Sequence, residues 1–177
     1  MSRMSPSFLL LLAPCGAPFF LRSLRCLLFG LACCLGSLAV AADDVATKVV
    51  AGSDFQATRE ALVEAIEAEG LVVSALIPFN QMLARTAGDL AKSASPFGAA
   101  EIVQFCSSQL AWQLLEEDVS QIAFCPLSIA VYTTRVEPAQ VVLAWRGPGQ
   151  GSAGRERAEK LLKKLVDRAA ELARLRW

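Results

Sequence analysis

The apolar residues of this chain are unevenly placed, and their placement decides what can fold. Residues 1–41 hold 27 of the 96 hydrophobic residues and three charges, Arg3, Arg22 and Arg25. The other 136 residues are about 51% hydrophobic, the ordinary content of a globule. A folded core must therefore come from residues 42–177, a length that suits one domain.

The front of the chain reads as a secretory leader. Arg22 and Arg25 give a positive end, Cys26 to Leu38 an apolar stretch, and Ala39-Val40-Ala41 the small-x-small cleavage pattern. Cleavage predicts a mature chain starting near Ala42 in the periplasm or outside the cell. The alternative is an uncleaved anchor over Cys26 to Ala42, which would leave the protein attached to the membrane. The earlier block, Phe8 to Phe20, is broken by Pro14, Gly16 and Pro18, so the leader is either extended or its start is assigned too early. Gly30-Leu31-Ala32 before Cys33 departs from the lipid-attachment pattern.

Charge and composition remove whole classes of function. Lys and Arg number 17, as do Asp and Glu, and a balanced chain lacks the clustered positive field that nucleic-acid binding needs. Histidine is absent. Ser-His-Asp and Cys-His catalysis and every His-ligated metal are excluded with it.

Export would also change the meaning of the cysteines. Cys15, Cys26, Cys33 and Cys34 lie in the leader, so Cys106 and Cys125 alone remain after cleavage. In an oxidising compartment the simplest expectation is one disulfide, closing a loop of about 20 residues for on the order of 3 kcal/mol. Exchangeable or metal-binding thiols, and inert buried ones, are the alternatives.

Along residues 42–177 the periodicity changes repeatedly between two and 3.6. Thr47 to Ala51 reads as a strand. Ser53-Asp54-Phe55-Gln56 then offers a capping box, and a helix follows with Phe55, Leu62 and Ile66 on one face and Gly70 at its end. Leu71 to Ile77 is the second strand, stopped by Pro78, with a short helix to Ala87 capped by Gly88. Residues 88–99 read as an irregular connection. Glu101 to Phe105 is the third strand, Ser107 to Glu117 a helix, Ser128 to Thr134 the fourth strand and Gln140 to Arg146 the fifth. Only a few residues join the last two strands, too few for a parallel crossover, so they should be antiparallel. From about Ala153 to 176 runs an amphipathic helix, with Leu161, Leu162, Leu165, Ala169 and Leu172 on its apolar stripe and a basic outer face from Arg155 to Arg168. The expected class is α/β of the α+β type: a two-layer domain with a mainly antiparallel five-stranded sheet, helices against it and a C-terminal helix.

This order of elements carries a resemblance. Together with Val103-Gln104-Phe105-Cys106, Phe124-Cys125-Pro126, Ile129-Ala130-Val131-Tyr132 and Leu143-Ala144-Trp145-Arg146-Gly147-Pro148, it resembles the family called domain of unknown function 302 over residues 47–148. The resemblance implies a two-layer domain, often dimeric, with no established activity. Many relatives have a His after the second strand where this chain has Phe79-Asn80. They also have a Phe-Gly-Asn-Pro turn where Phe105-Cys106-Ser107-Ser108 stands here.

Several patterns invite chemistry and are outweighed. Gly149-Gln150-Gly151-Ser152-Ala153-Gly154 satisfies GxGxxG between a strand and a helix, but the second parallel strand and the acidic residue of a dinucleotide site do not follow. Glu116-Glu117-Asp118 reads as a solvated turn rather than an acid-base pair or calcium site. The basic helix face reads as solvated, with peripheral contact to an anionic membrane as its alternative role. Trp112 and Trp145 read as core or interface residues. Cys106, Cys125 and Met82 together could ligate a soft ion such as Cu(I), although their spacing does not require it.

Two functions remain. The leading one is an exported, non-enzymatic binding or accessory module without a cofactor. It would pair as a homodimer and engage a protein or small-molecule partner through its sheet or a helix face. The other is thiol-disulfide exchange or soft-metal handling at Cys106 and Cys125.

Overall fold

A two-residue alternation along one central strand orients the whole molecule. In β4 (Leu127–Thr134) buried and half-buried residues alternate without a break, and in an extended chain such neighbours point to opposite faces. Leu127, Ile129, Val131 and Thr133 therefore face inward. β3 (Phe97–Cys106) lies on one side of β4, with Val103 opposite Ile129 and Phe105 opposite Leu127. β5 (Val141–Arg146) lies on the other, with Leu143 opposite Val131. β1 (Val45–Val50) pairs with β5 and β2 (Val72–Ile77) with β3. The result is a five-stranded sheet of order β1-β5-β4-β3-β2, every pairing antiparallel. The short connection between β4 and β5 does give an antiparallel pair, as expected. This computed structural model describes residues 45–92 and 94–176. The expected leader with Cys15, Cys26, Cys33 and Cys34, and also Ser93 and Trp177, lie outside the described residues.

One face of the sheet carries the helices. α1 (Phe55–Ala68) and the long α4 (Ala153–Leu175) pack against each other and against the sheet. Leu62, Ile66, Leu162, Leu165 and Val166 meet Val103, Phe105, Ile129, Val131 and Leu143 in one fully buried cluster. Each such side chain contributes about 1.5–3 kcal/mol of burial. α3 (Ser108–Glu117) leans on α4, a 3-10 segment (Val119–Phe124) follows it, and the short α2 (Phe79–Thr86) rests against β3. Ion pairs tie the layers together: Lys48 on β1 reaches Asp167 on α4 at 2.6 Å, and Arg59 on α1 lies 3.4 Å from Glu101 on β3. Among the described residues no helix is long and apolar enough to cross a membrane.

Two local expectations are corrected and a third is narrowed. The cap of α1 is Asp54, whose carboxylate accepts from the Ala57 amide at 2.7 Å. Ser53 instead pairs its hydroxyl with that of buried Thr58, and Gln56 reaches forward to Glu60. The helix begins one residue later than a Ser53-Gln56 box requires, because both Ser53 and Asp54 are capable caps and the charged one accepts more strongly. At the other end of α1 the expectation holds: Gly70 sits at φ +72°, and its amide donates to the Glu67 carbonyl at 2.9 Å.

β3 starts at Phe97, four residues ahead of the expected Glu101, inside the stretch taken as irregular. Gly98 is the reason. The register between Phe97 and Ala99 is shifted, and a Cβ at Gly98 would meet the Thr133 hydroxyl oxygen at 2.9 Å. That oxygen accepts the Ala99 amide at 3.1 Å. The glycine that reads as a strand breaker is a bulge that lets the strand continue. Finally, of the two places expected for Trp112, core or interface, the core is ruled out: it is 68% exposed on the outer side of α3. Trp145, by contrast, packs against the core.

Candidate functional site

The antiparallel β3–β4 pair brings the two cysteines to one end of the sheet. Its last paired residues are Phe105 and Leu127, so Cys106 and Cys125 lie just beyond the ladder. Cys106 ends β3 and precedes Ser107, whose hydroxyl caps α3 by accepting the Leu110 amide at 3.4 Å. Cys125 closes the 3-10 segment, donating its amide to the Ile122 carbonyl at 3.0 Å, and precedes the cis Pro126. Cys106 is exposed, whereas Cys125 is partly buried against the core. Burial pushes the Cys125 thiol above its ordinary pKa, and a negative charge on nearby Cys106 pushes it further the same way.

Both thiols are free, which corrects the expected disulfide. A disulfide needs the two Cβ atoms held about 3.5–4.5 Å apart. Here the ladder stops short of both residues, and Cys125 packs toward the helices while Cys106 turns to solvent.

Met82 does not join the cysteines. It lies on α2, whose Phe79 ring stacks edge-on against Phe97 and whose Asn80 side chain donates to the Gly98 carbonyl at 3.1 Å. Those contacts are at the start of β3. Cys106 is at its other end, nine residues along, or roughly 30 Å at strand rise. A Cu(I) set of Cys106, Cys125 and Met82 is therefore not assembled. Among the described residues no group of three or more His, Cys, Asp or Glu side chains could hold a metal ion.

The glycine-rich turn before α4 does form an anion site, and the chain fills it. Gly149 and Gly151 adopt φ +73° and +126°, and the first turn of α4 presents its amides, the positive end of a long helix. The Gly154 amide donates to Glu117 Oε1 at 2.7 Å, and a Cβ at Gly154 would lie 2.8 Å from Glu117 Oε2. The Ser152 hydroxyl beside it does most to hold the Glu117 carboxyl below its ordinary pKa; desolvation opposes it less strongly, and the Gly154 amide adds a still smaller lowering effect. Arg155 completes the turn, donating Nε to the Pro148 carbonyl at 2.7 Å with its guanidinium 5.1 Å from the centre of the Phe124 ring. The run Glu116-Glu117-Asp118 is therefore more than a solvated turn. Glu117 caps α4, and Asp118 caps the 3-10 segment by accepting the Ser120 amide at 2.8 Å.

Residues of α1 and its C-cap answer part of the basic charge along α4 and at its end. Lys164 meets Glu69 at 2.7 Å, and Arg176 pairs with Glu60 and Glu64. A groove of about 590 Å³ between the two helices mixes both signs, with Lys160, Lys163 and Arg168 beside Glu69, Asp167 and Glu171.

The feature that sequence reasoning missed is the other side of the sheet. Opposite the helices, the cross-strand register places Val45, Val142, Ala144, Ala130, Tyr132 and Ile102 on a common face. Arg146 is the one charged side chain at the described register positions of that face. Ile102, Ala130 and Ala144 line a shallow depression of about 200 Å³ near its centre. At one corner the Tyr132 and Phe97 rings meet at 5.4 Å, and Phe79 of α2 adds a third ring 6.2 Å from Phe97. The signal was present in β4 and β5, whose outward positions include Ala130, Tyr132, Val142 and Ala144 where a solvated sheet face would carry charges.

Comparison with known proteins agrees with this architecture. The family model described as Domain of unknown function DUF302 matches residues 46–172. Among solved structures, the crystal structure of an uncharacterized conserved DUF302 protein from Bacillus stearothermophilus superposes with a TM-score of 0.58 at 21% sequence identity. The match covers 75% of this chain and 100% of that one. No curated protein matches.

Proposed function

Because the chain belongs to the DUF302 family, which carries no assigned chemistry, its function has to be argued from its surfaces, and we propose that it is an exported, non-enzymatic binding module that pairs with a second copy of itself through the helix-free sheet face. The observation that carries this reading is the composition of that face: valine, alanine, isoleucine and aromatic residues predominate, with Thr47, Gln104, Ser128 and Thr134 as its polar positions and Arg146 as its charged one. A contiguous apolar surface rimmed by polar groups is the signature of an association site. Five strands about 4.8 Å apart and about six residues long project a footprint of roughly 500 Å² before the relief of the side chains is counted. The aromatic corner extends it toward the ~800 Å² per partner of a standard interface. A second copy suits such a face because two-fold pairing sets identical apolar patches against each other. Export rests on the leader pattern of residues 1–41.

Sedimentation velocity of the purified chain and of Ala130→Asp tests the reading. The wild type is expected to sediment as a dimer at micromolar concentration. The variant, with an unpaired carboxylate at the centre of the face, is expected to sediment as a folded monomer. A wild type that stays monomeric at 100-fold higher concentration, or an Ala130→Asp chain that dimerises as the wild type does, refutes the proposal.

A further inference from the structure

We propose that the pocket between α4 and the start of α3 binds a small phosphomonoester, its dianionic head held by Arg157 and Lys160. The site begins as a stripe on α4. Arg157, Lys160 and Lys164 are spaced by three and then four residues, so they share one face of the helix. They line a pocket of about 360 Å³, within the ~300–1,000 Å³ usual for a small-ligand site. Glu69, the carboxylate on its wall, is committed to Lys164 at 2.7 Å. Arg157 holds the neutral Gln113, donating to its Oε1 at 3.0 Å. Neither Arg157 nor Lys160 has a carboxylate in ion-pair contact among the described residues. The pocket therefore keeps two unanswered positive charges, which a dianion matches.

The opposite wall adds hydrogen-bond donors. Ser107, Gln109 and Leu110, at the start of α3, border the same pocket. The Ser108 and Gln109 amides come too early in α3 for intrahelical bonds, and that end of the helix is its positive one. At the start of α4 the equivalent place is filled by Glu117. At α3 the cap is the neutral Ser107 hydroxyl, 3.4 Å from the Leu110 amide, and the charge of the site is left for a ligand to meet.

The chemistry of the walls favours an organic ester over a bare ion. Half-buried Leu71 and Leu161 and buried Leu110 form the apolar part of the pocket, against which the organic group lies. A phosphoryl head has three oxygens to share among the Arg157 fork, the Lys160 ammonium and the α3 amides, where a carboxylate has two. The pocket belongs to the helix layer and shares no residue with the helix-free sheet face. The proposal therefore stands or falls independently of the pairing reading.

The test is an amide-detected NMR titration of the full chain with phenyl phosphate at fixed ionic strength and about pH 7.5, where the ester is a dianion. Benzenesulfonate, a tetrahedral monoanion of similar shape, is titrated in parallel. Phenyl phosphate is expected to shift the amides of Ser107 to Leu110 and of Arg157 to Leu161 along one saturating curve, and benzenesulfonate to bind about tenfold more weakly. Arg157→Gln and Lys160→Gln should each weaken phenyl phosphate by about tenfold. Lys163→Gln, in the neighbouring groove, should leave it within about twofold, because an exposed charge outside the pocket is screened. Equal losses from Lys160→Gln and Lys163→Gln would mean diffuse attraction to a basic helix and overturn the proposal, as would equal affinity for benzenesulfonate. A wild type without saturable shifts at those two segments overturns it as well, and that measurement decides the matter even if a variant fails to fold.

Discussion

Replacing Ile129 with alanine removes three carbons from the centre of the inward sheet face. Ile129 is fully buried, lies between Val103 on β3 and Trp145 on β5, and belongs to the cluster under α1 and α4. Isoleucine-to-alanine changes in cores cost about 2–5 kcal/mol, and the cost rises with the cavity left behind. Here the backbone is held by ladders on both sides, so little collapse can fill the space, and the expected loss is in the upper half, about 4 kcal/mol. With a urea slope of about 2 kcal/mol/M, the unfolding midpoint should fall by about 2 M. Ser128→Ala, one residue away on the opposite face and half-buried, should stay within about 0.5 kcal/mol. Equilibrium urea unfolding followed by far-UV circular dichroism reads both. A loss under about 1.5 kcal/mol for Ile129→Ala at unchanged slope, or an equal loss for Ser128→Ala, would show that the assignment of faces is wrong.

Gly98→Val should destabilise by about 1–3 kcal/mol, because its side chain would displace the Thr133 hydroxyl and leave the Ala99 amide without that acceptor; a variant as stable as wild type in the same urea assay contradicts the bulge. The pH dependence follows from Glu117 and Asp118, whose carboxyls are held below their ordinary values of 4.5 and 3.8, first by Ser152 and by the Ser120 amide respectively. A depressed carboxyl contributes stability that is fully present above its unfolded value and is lost as pH falls through the lower folded one. Thermal stability should therefore fall below about pH 4.5, and Glu117→Gln should flatten that decline; an unchanged acid profile in the variant rules out the helix-cap role.

Much of the fold was legible because its signals are local. The alternation in Ser128 to Thr134, the short link to β5 and the apolar stripe of α4 each lie within one element, and each was placed correctly. What escaped notice depends on partners far away in sequence. Glu117 looks like one of three solvated carboxylates until α4 sets its amide 37 residues further on against it. Pro96 and Gly98 read as breakers because a bulge is defined by its partner Thr133, not by its own residues. Of the three candidate ligands, the register joined Cys106 to Cys125 and separated Met82. Spacing along the chain could not reveal that, since α2 and the cysteines sit at opposite ends of the same strand.

The strand order has a consequence for how the chain assembles. β3, β4 and β5 follow one another and can zip up as a meander, but β1 finds its place only beside β5, with Val45 opposite Arg146. Closing a loop of about 100 residues costs on the order of 4 kcal/mol in chain entropy before any pairing repays it. β1 is thus the first strand to be synthesised and the last able to dock, and until residue 146 exists the flank of β5 stays an open edge. Its late arrival makes β1 the first strand to fray, so hydrogen exchange should be fastest there among the five strands.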